Sequence, residues 1–125
     1  MSSPTIAIVG ASSDPAKFGN KAVKTYLKQG YVVFPVNPKG GEIEGLPVST
    51  SLADVPSEHL DRISFYLPPA VGMKVLEEAA DKPHGELWLN PGSESDELIA
   101  RAQDLGLDPI VACSIVDVGI RPDEV

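Results

Sequence analysis

Short apolar runs alternate along this chain with stretches in which apolar residues recur three and four positions apart. The runs are typical of buried strands, and the spacing of three and four is typical of one helix face. Five strands are predicted, at 5–9, 31–36, 62–67, 86–90 and 109–113. Helical spacing occurs between them at 21–29, 71–80 and 98–105. The pattern therefore predicts strands that alternate with helices, beginning with a strand.

This alternation indicates an α/β fold with one parallel sheet covered on both faces by helices. Right-handed crossovers and the common doubly wound, Rossmann-like layout predict the strand order 3-2-1-4-5. In such sheets ligands bind beyond the carboxyl ends of the strands where the winding reverses, here between the first and fourth strands. We therefore expect one domain over 1–125 with its site at that edge of the sheet.

Composition narrows the classes of function. The chain has 125 residues, of which 42% are hydrophobic and 22% charged, which is typical of a globular domain. Its net charge is −8, and no Lys/Arg cluster is present to bind a phosphate backbone, which argues against nucleic acid as a partner. No apolar stretch is long enough to cross a membrane. With no signal peptide evident and a single cysteine, we expect a cytoplasmic location.

The first predicted loop departs from the dinucleotide fingerprint G-x-G-x-x-G. Gly10 fits its tight turn, but Ser12 stands at the second glycine, and additional residues separate it from Gly19. The fingerprint also requires an acid after the second strand to bind the adenosine ribose, and that place holds Asn37 and Lys39. The NAD interpretation fails at both points.

The same loop retains the features of an anion site. Ser12 and Ser13 supply hydroxyls and N–H groups, and the loop opens into a helix whose N-terminus favours negative charge. Lys39 follows the second strand, where it can reach a phosphate on or near a ribose. Together these features favour a phosphate-bearing ligand, although a serine-rich turn that only caps the helix has the same local sequence.

Four segments, taken in order, resemble a known family. They are GASS after the first strand, VNPKGGEIEGLPVSTSLADVP after the second, FYLPP after the third and WLNPG after the fourth. This combination resembles the stand-alone coenzyme A-binding proteins, which are similar to the N-terminal domain of the succinyl-CoA synthetase alpha subunit. The resemblance spans nearly the whole chain, and the segment from VNPK to ADVP is its most specific part.

The resemblance implies a coenzyme A site with four parts. They are a phosphate contact at Gly10, Ala11, Ser12 and Ser13; a ribose and 3′-phosphate contact at Asn37 and Lys39; an adenine contact at Tyr66, Leu67 and Pro68; and a pantetheine contact at Asn90, Pro91 and Gly92. Two interpretations of Cys113 stay open: core packing, or a thiol that faces the ligand and its sulfur.

The resemblance does not bring the synthetase reaction with it, because the phosphorylated histidine of that enzyme belongs to a further domain. His59 and His84 lie in polar connections, and no nucleophile–base pair or metal-ligand spacing is present. We therefore expect a binding module, with free coenzyme A and acyl-CoA both open as its ligand. A homo-oligomer and an unidentified protein partner are also open.

Two alternatives remain. The first is a small NADP-dependent oxidoreductase in which Lys39 meets the 2′-phosphate. The second is a scaffold with a degenerate nucleotide pocket, which leaves the polar loops without a role.

Overall fold

A computed structural model describes residues 3–125, which form a five-stranded sheet, a two-stranded hairpin and the helices around them. The elements in chain order are β1 Thr5–Val9, α1 Phe18–Lys28, β2 Val32–Val36, β3 Glu42–Ile43, β4 Leu46–Pro47, β5 Leu60–Phe65, α2 Pro69–Asp81, β6 His84–Leu89, α3 Asp96–Asp104, β7 Ile110–Val111, α4 Ser114–Asp117 and a 3₁₀ turn at Pro122–Glu124. All strand pairs of the large sheet are parallel, and β3 and β4 form the hairpin.

Strand β1 buries both of its faces, which explains its apolar run. Ile6 and Ile8 lie in a core cluster with Val23 of α1, whereas Ala7 and Val9 lie in a second cluster with residues of α2 and α3. Successive side chains of a strand point to opposite faces, so the two clusters occupy opposite sides of the sheet. The predicted α/β fold with helices on both faces is confirmed.

The strand order is β2-β1-β5-β6-β7, or 2-1-3-4-5 in terms of the five predicted strands. The predicted order 3-2-1-4-5 is wrong, because β5 pairs with β1 and not with β2. The free edge of β2 is instead covered by Ser49, whose N–H donates to the Pro35 carbonyl at 3.0 Å and whose carbonyl accepts from the Asn37 N–H at 3.0 Å. The winding therefore reverses between β1 and β5, and this is where a ligand site is expected.

Pro35 explains why β2 lies at the edge. The N–H and C=O of one strand residue face the same neighbour, and the Pro35 carbonyl faces outward to Ser49. Proline has no N–H for a ladder and is therefore confined to edge positions. An inner position for β2, as in the predicted order, would leave a gap in the ladder at Pro35.

The element boundaries differ from the sequence prediction mainly near the ends of the sheet. Helix α1 begins at Phe18, three residues before the predicted start at 21. Ser95 caps α3, accepting a hydrogen bond from the Leu98 N–H at 3.1 Å. Strand β7 is short, so Cys113 does not close a strand as predicted but precedes the short helix α4. A four-residue helix is too short to produce a spacing pattern, which explains why α4 was not predicted.

The start of α1 lies against the end of β1 at two glycines. A Cβ on Gly19 would stand 2.3 Å from the Gly10 carbonyl oxygen, and a Cβ on Gly10 would stand 2.2 Å from the Tyr66 carbonyl oxygen. Gly10 also has a φ of 94°, which favours glycine. Gly19 thus performs the helix-packing role of the third fingerprint glycine, although the loop before it is longer.

We predict that Gly19→Ala lowers the free energy of unfolding by about 1–3 kcal/mol, because its Cβ would overlap backbone that cannot move without shifting the loop. Gly72→Ala in α2 is the matched control, since its nearest neighbours are Leu98 methyl groups at 3.5 Å. That substitution should leave stability unchanged or raise it by about 0.5–1 kcal/mol. Chemical denaturation of both variants tests the contact, and equal stability of the two variants would refute it.

Candidate functional site

The loop after β1 is held in place by the N–H groups of its first two residues and by two of its carbonyl groups. The N–H groups of Gly10 and Ala11 donate to the Val36 carbonyl at 3.0 and 3.2 Å, which joins the loop to the end of β2. The Asn37 amide donates to the Ala11 carbonyl at 2.8 Å, and the buried Asn20 amide donates to the Ser12 carbonyl at 2.9 Å. Two side-chain amides therefore hold the loop carbonyls away from a ligand.

Other N–H groups of this loop, and the first ones of α1, have no hydrogen-bond partner in the described part of the chain. Within residues 3–125, the N–H groups of Ser12, Ser13, Phe18 and Gly19 have no hydrogen-bond acceptor. The first two belong to the loop, and the other two are the first N–H groups of the eleven-residue helix α1. The first turn of α1 contains no acidic residue, and no side chain caps it. Free N–H groups at a helix N-terminus form a site for an anion.

A cavity of about 400 Å³, here called the polar pocket, lies against this loop. Its lining consists of Gly10, Ala11, Ser12, Ser13, Lys17, Asn37, Lys39, Gly40, Glu42, Ile43 and Tyr66. Lys39 is positioned by its own N–H, which donates to the Asn37 Oδ1 at 2.8 Å. Its ammonium group makes no hydrogen bond or ion pair within the described chain. The pocket thus combines free N–H donors with an exposed cation.

A second cavity of about 360 Å³, here called the apolar groove, adjoins the first at the switch point, the place between β1 and β5 where the winding of the sheet reverses. Its lining consists of Gly10, Lys17, Phe18, Gly19, Tyr66, Leu67, Pro68, Pro69, Pro91, Gly92 and Ser93. Three residues line both cavities, namely Gly10, Lys17 and Tyr66. The segments assigned to adenine and to pantetheine therefore border one groove rather than two separate sites.

Tyr66 lies where the two cavities meet. Its hydroxyl is within 3.1 Å of the Ser114 Oγ, so the polar end of the side chain turns inward. Burial raises the pKa of the Tyr66 hydroxyl above its ordinary value, and the hydrogen bond to Ser114 offsets only part of that effect. Tyr66 therefore stays neutral at physiological pH.

Asn90 lies beneath the groove and does not line it. Its side-chain amide donates to the Ser64 Oγ at 2.7 Å and to the Phe65 carbonyl at 2.8 Å, while its Oδ1 accepts from the Ser114 N–H at 2.8 Å. The side chain is 1% exposed, and its donor and acceptor groups all have partners in the protein. Asn90 thus supports the turn that carries Pro91 and Gly92, which themselves line the groove.

Cys113 and the two histidines lie outside both cavities. Cys113 is half-buried and contacts the α1 side of the core. His59 precedes β5 and His84 begins β6, so both lie at the amino edge of the sheet, opposite the candidate site. In the part of the chain that the structure describes, no three His, Cys, Asp or Glu side chains cluster as a metal site, and no helix is long and apolar enough to span a membrane.

Several lining residues were not assigned a ligand contact from the sequence. They are Lys17, Phe18, Gly19, Gly40, Glu42, Ile43, Pro69 and Ser93. Lys17 and Phe18 were missed because α1 starts earlier than its apolar spacing indicates. Ser93 accepts a hydrogen bond from the Leu67 N–H at 3.0 Å, a contact between distant segments that no local pattern reveals. The hairpin residues reach the pocket because the chain folds back across the end of β2.

The fold and the two joined cavities define a class of protein: a doubly wound α/β domain with a cleft at the point where the winding of its sheet reverses. The sequence profile of the family described as "CoA binding domain" matches residues 4–119. The chain therefore belongs to the CoA-binding domain family.

Curated relatives are subunits or chains of larger enzymes. The alpha subunit of the ADP-forming acetate–CoA ligase I of Pyrococcus furiosus is 36% identical over 84 residues, an alignment covering 62% of this chain and 18% of the subunit. The ADP-forming acetate–CoA ligase of Methanocaldococcus jannaschii is 35% identical over 78 residues, covering 62% of this chain and 11% of the ligase. The chain thus matches less than a fifth of the length of these relatives.

Solved structures of similar length share the fold. A conserved hypothetical protein from Pyrococcus furiosus superimposes with a TM-score of 0.81 at 38% identity, covering 91% of this chain and 98% of that chain. A Thermus thermophilus protein superimposes with a TM-score of 0.82 at 32% identity, covering 93% of this chain and 88% of that one. A longer protein contains the same fold. It is the dinucleotide-forming acetyl-coenzyme A synthetase 1 of Ca. Korarchaeum cryptofilum, solved with phosphate and ADP, which superimposes with a TM-score of 0.72 at 27% identity. The alignment covers 86% of this chain and 25% of the synthetase chain.

Proposed function

We propose that this protein binds coenzyme A, either free or as an acyl thioester, and does not itself catalyse a reaction on it. The observation that carries the proposal is a set of unpaired N–H groups at two joined cavities. Ser12 and Ser13 line the polar pocket together with Lys39, and Phe18 and Gly19 line the adjoining apolar groove. The first N–H groups of a helix have no partner within the helix, and a phosphate supplies the acceptors they lack. Membership of the CoA-binding domain family supports coenzyme A as this phosphate-bearing ligand.

The two cavities match the two chemical halves of this coenzyme. Its phosphates are charged and suit the polar pocket, which Lys39, Ser12 and Ser13 line. Its pantetheine arm carries no charge and suits the apolar groove along Leu67, Pro68, Pro91 and Gly92. Both volumes fall within the usual range for small-molecule sites, about 300–1,000 Å³. In this arrangement Asn90 does not contact the ligand, and its hydrogen bonds fix the turn whose Pro91 and Gly92 line the groove.

The side chains around the cavities favour binding over catalysis. The titratable residues that line them are Lys17, Lys39, Glu42 and Tyr66, and no histidine or cysteine does so within residues 3–125. Tyr66 is held neutral by burial and already bonds to Ser114. No lining side chain is therefore prepared as a nucleophile with an adjacent base. The ligase activity of the longer relatives is accordingly not assigned to this chain, and its single free cysteine suits a reducing cytoplasm.

We predict that coenzyme A raises the melting temperature of the purified protein and that NAD does not. Ligand at 100 times its dissociation constant adds about 2.7 kcal/mol to the free energy of unfolding. NAD has no cation-requiring phosphate on its ribose, and the place of its ribose-binding acid is taken by Asn37 and Lys39. Differential scanning fluorimetry with both ligands up to millimolar concentration tests this. Equal shifts with the two ligands, or no shift with coenzyme A, would contradict the proposal.

A second prediction concerns Lys39 and the 3′-phosphate. Lys39→Ala should weaken coenzyme A at least about tenfold, because a charge-assisted hydrogen bond contributes roughly 1.5–3 kcal/mol. The same substitution should change the affinity for 3′-dephospho-coenzyme A much less, since that ligand lacks the group. Isothermal titration calorimetry measures both constants. An equal loss for the two ligands would remove Lys39 from this role, and a larger Lys39-dependent affinity for NADP would favour an NADP-binding protein instead.

A further inference from the structure

We infer that Lys17 is the cation that holds the 5′-diphosphate of the coenzyme, as distinct from Lys39 at the 3′-phosphate. The inference rests on the proposed function and names a residue that neither the dinucleotide fingerprint nor the resemblance to known proteins indicated. It follows from the position of Lys17 between the two cavities.

Lys17 lies at the junction of the polar pocket and the apolar groove. Among residues 3–125, it shares the lining of both cavities with Gly10 and Tyr66, and it is the only charged residue of the three. In coenzyme A the diphosphate is the link between the phosphorylated nucleoside and the uncharged pantetheine arm. A ligand with its charged half in one cavity and its uncharged half in the other therefore places the diphosphate at this junction.

The backbone places Lys17 directly before the free N–H groups at the start of α1. Lys17 is the N-cap residue of α1 and has an extended backbone, with φ −90° and ψ 145°. The two residues that follow it, Phe18 and Gly19, carry free N–H groups. An anion bound by these groups and by those of Ser12 and Ser13 has Lys17 as its adjacent ammonium group. The positive charge of Lys17 and the N-terminus of α1 then both stabilise the same diphosphate.

Within residues 3–125, no acidic side chain forms an ion pair with Lys17. Its ammonium group makes no hydrogen bond or ion pair within residues 3–125. The nearby acid Asp14 accepts from the Ala16 N–H at 3.0 Å, and Glu44 accepts from the Asn20 amide at 3.2 Å. Lys21, one turn further along α1, donates to the Pro122 carbonyl at 3.0 Å and so points toward the C-terminal segment. Of these two lysines at the start of α1, Lys17 lines both cavities, whereas Lys21 lines neither.

The test compares two ligands that differ only in the 3′-phosphate. Calorimetry is performed with coenzyme A and 3′-dephospho-coenzyme A on the wild type, Lys17→Gln, Lys39→Gln and Lys17→Arg. Lys17→Gln should weaken both ligands by the same factor, roughly 5- to 30-fold for a solvent-accessible charge-assisted contact. Lys39→Gln should weaken coenzyme A alone. Lys17→Arg should keep most of the affinity because it retains the charge.

Lys74→Gln supplies the matched control, since Lys74 is an exposed lysine of α2 that lines neither cavity and the change in net charge is the same. It should leave both affinities unchanged. Unaltered binding of both ligands to Lys17→Gln would overturn the inference while the proposed function stands. A loss confined to coenzyme A would also overturn it, because Lys17 would then contact the 3′-phosphate. Failure of the wild type to bind either ligand would instead refute the proposed function.

Discussion

The close approach of Gly10 and Gly19 is the contact on which the candidate site depends. A Cβ at Gly19 would stand only 2.3 Å from the Gly10 carbonyl oxygen, so α1 can begin where it does because Gly19 carries no side chain. This approach brings the first N–H groups of α1 beside those of Ser12 and Ser13. The loop between the glycines is longer than in the dinucleotide fingerprint. As in that fingerprint, the strand end, the loop and the helix start lie side by side, which is the arrangement the proposed phosphate site requires.

Beneath the groove, a buried polar network holds the neighbouring strand ends in place. Ser114 is its centre: its N–H donates to Asn90 at 2.8 Å, its hydroxyl lies 2.8 Å from that of Ser64, and its carbonyl accepts from the Tyr26 hydroxyl at 2.7 Å. Arg62 extends the network to α4 through Asp117 at 2.8 Å. Each buried polar group that would cost free energy alone is paired here, so the network specifies one arrangement of β5, β6 and α4.

The sequence predicted the fold class because apolar runs and helical spacing are local, and it located most loops of the site because they follow strands. The strand order was not obtained, since it was taken from the commonest layout, although Pro35 indicates an edge strand. Lys17 escaped notice because the first turn of α1 lacks apolar spacing. The positions of Asn90 and Cys113 depend on contacts with α4, a helix of four residues that leaves no periodic pattern. Local patterns thus predict elements, whereas long-range contacts decide which residues line the site.

The central claim is that the free N–H groups around Gly10 and Gly19 receive the phosphates of coenzyme A. An NMR titration of ¹⁵N-labelled protein with coenzyme A measures this directly, because each backbone amide reports its own hydrogen bonding. The account predicts that the largest amide shifts occur at Ser12, Ser13, Phe18 and Gly19, with little change at the amino ends of β5 and β6. Saturable binding with the largest shifts at that opposite edge, and none in the loop or at the start of α1, would contradict it.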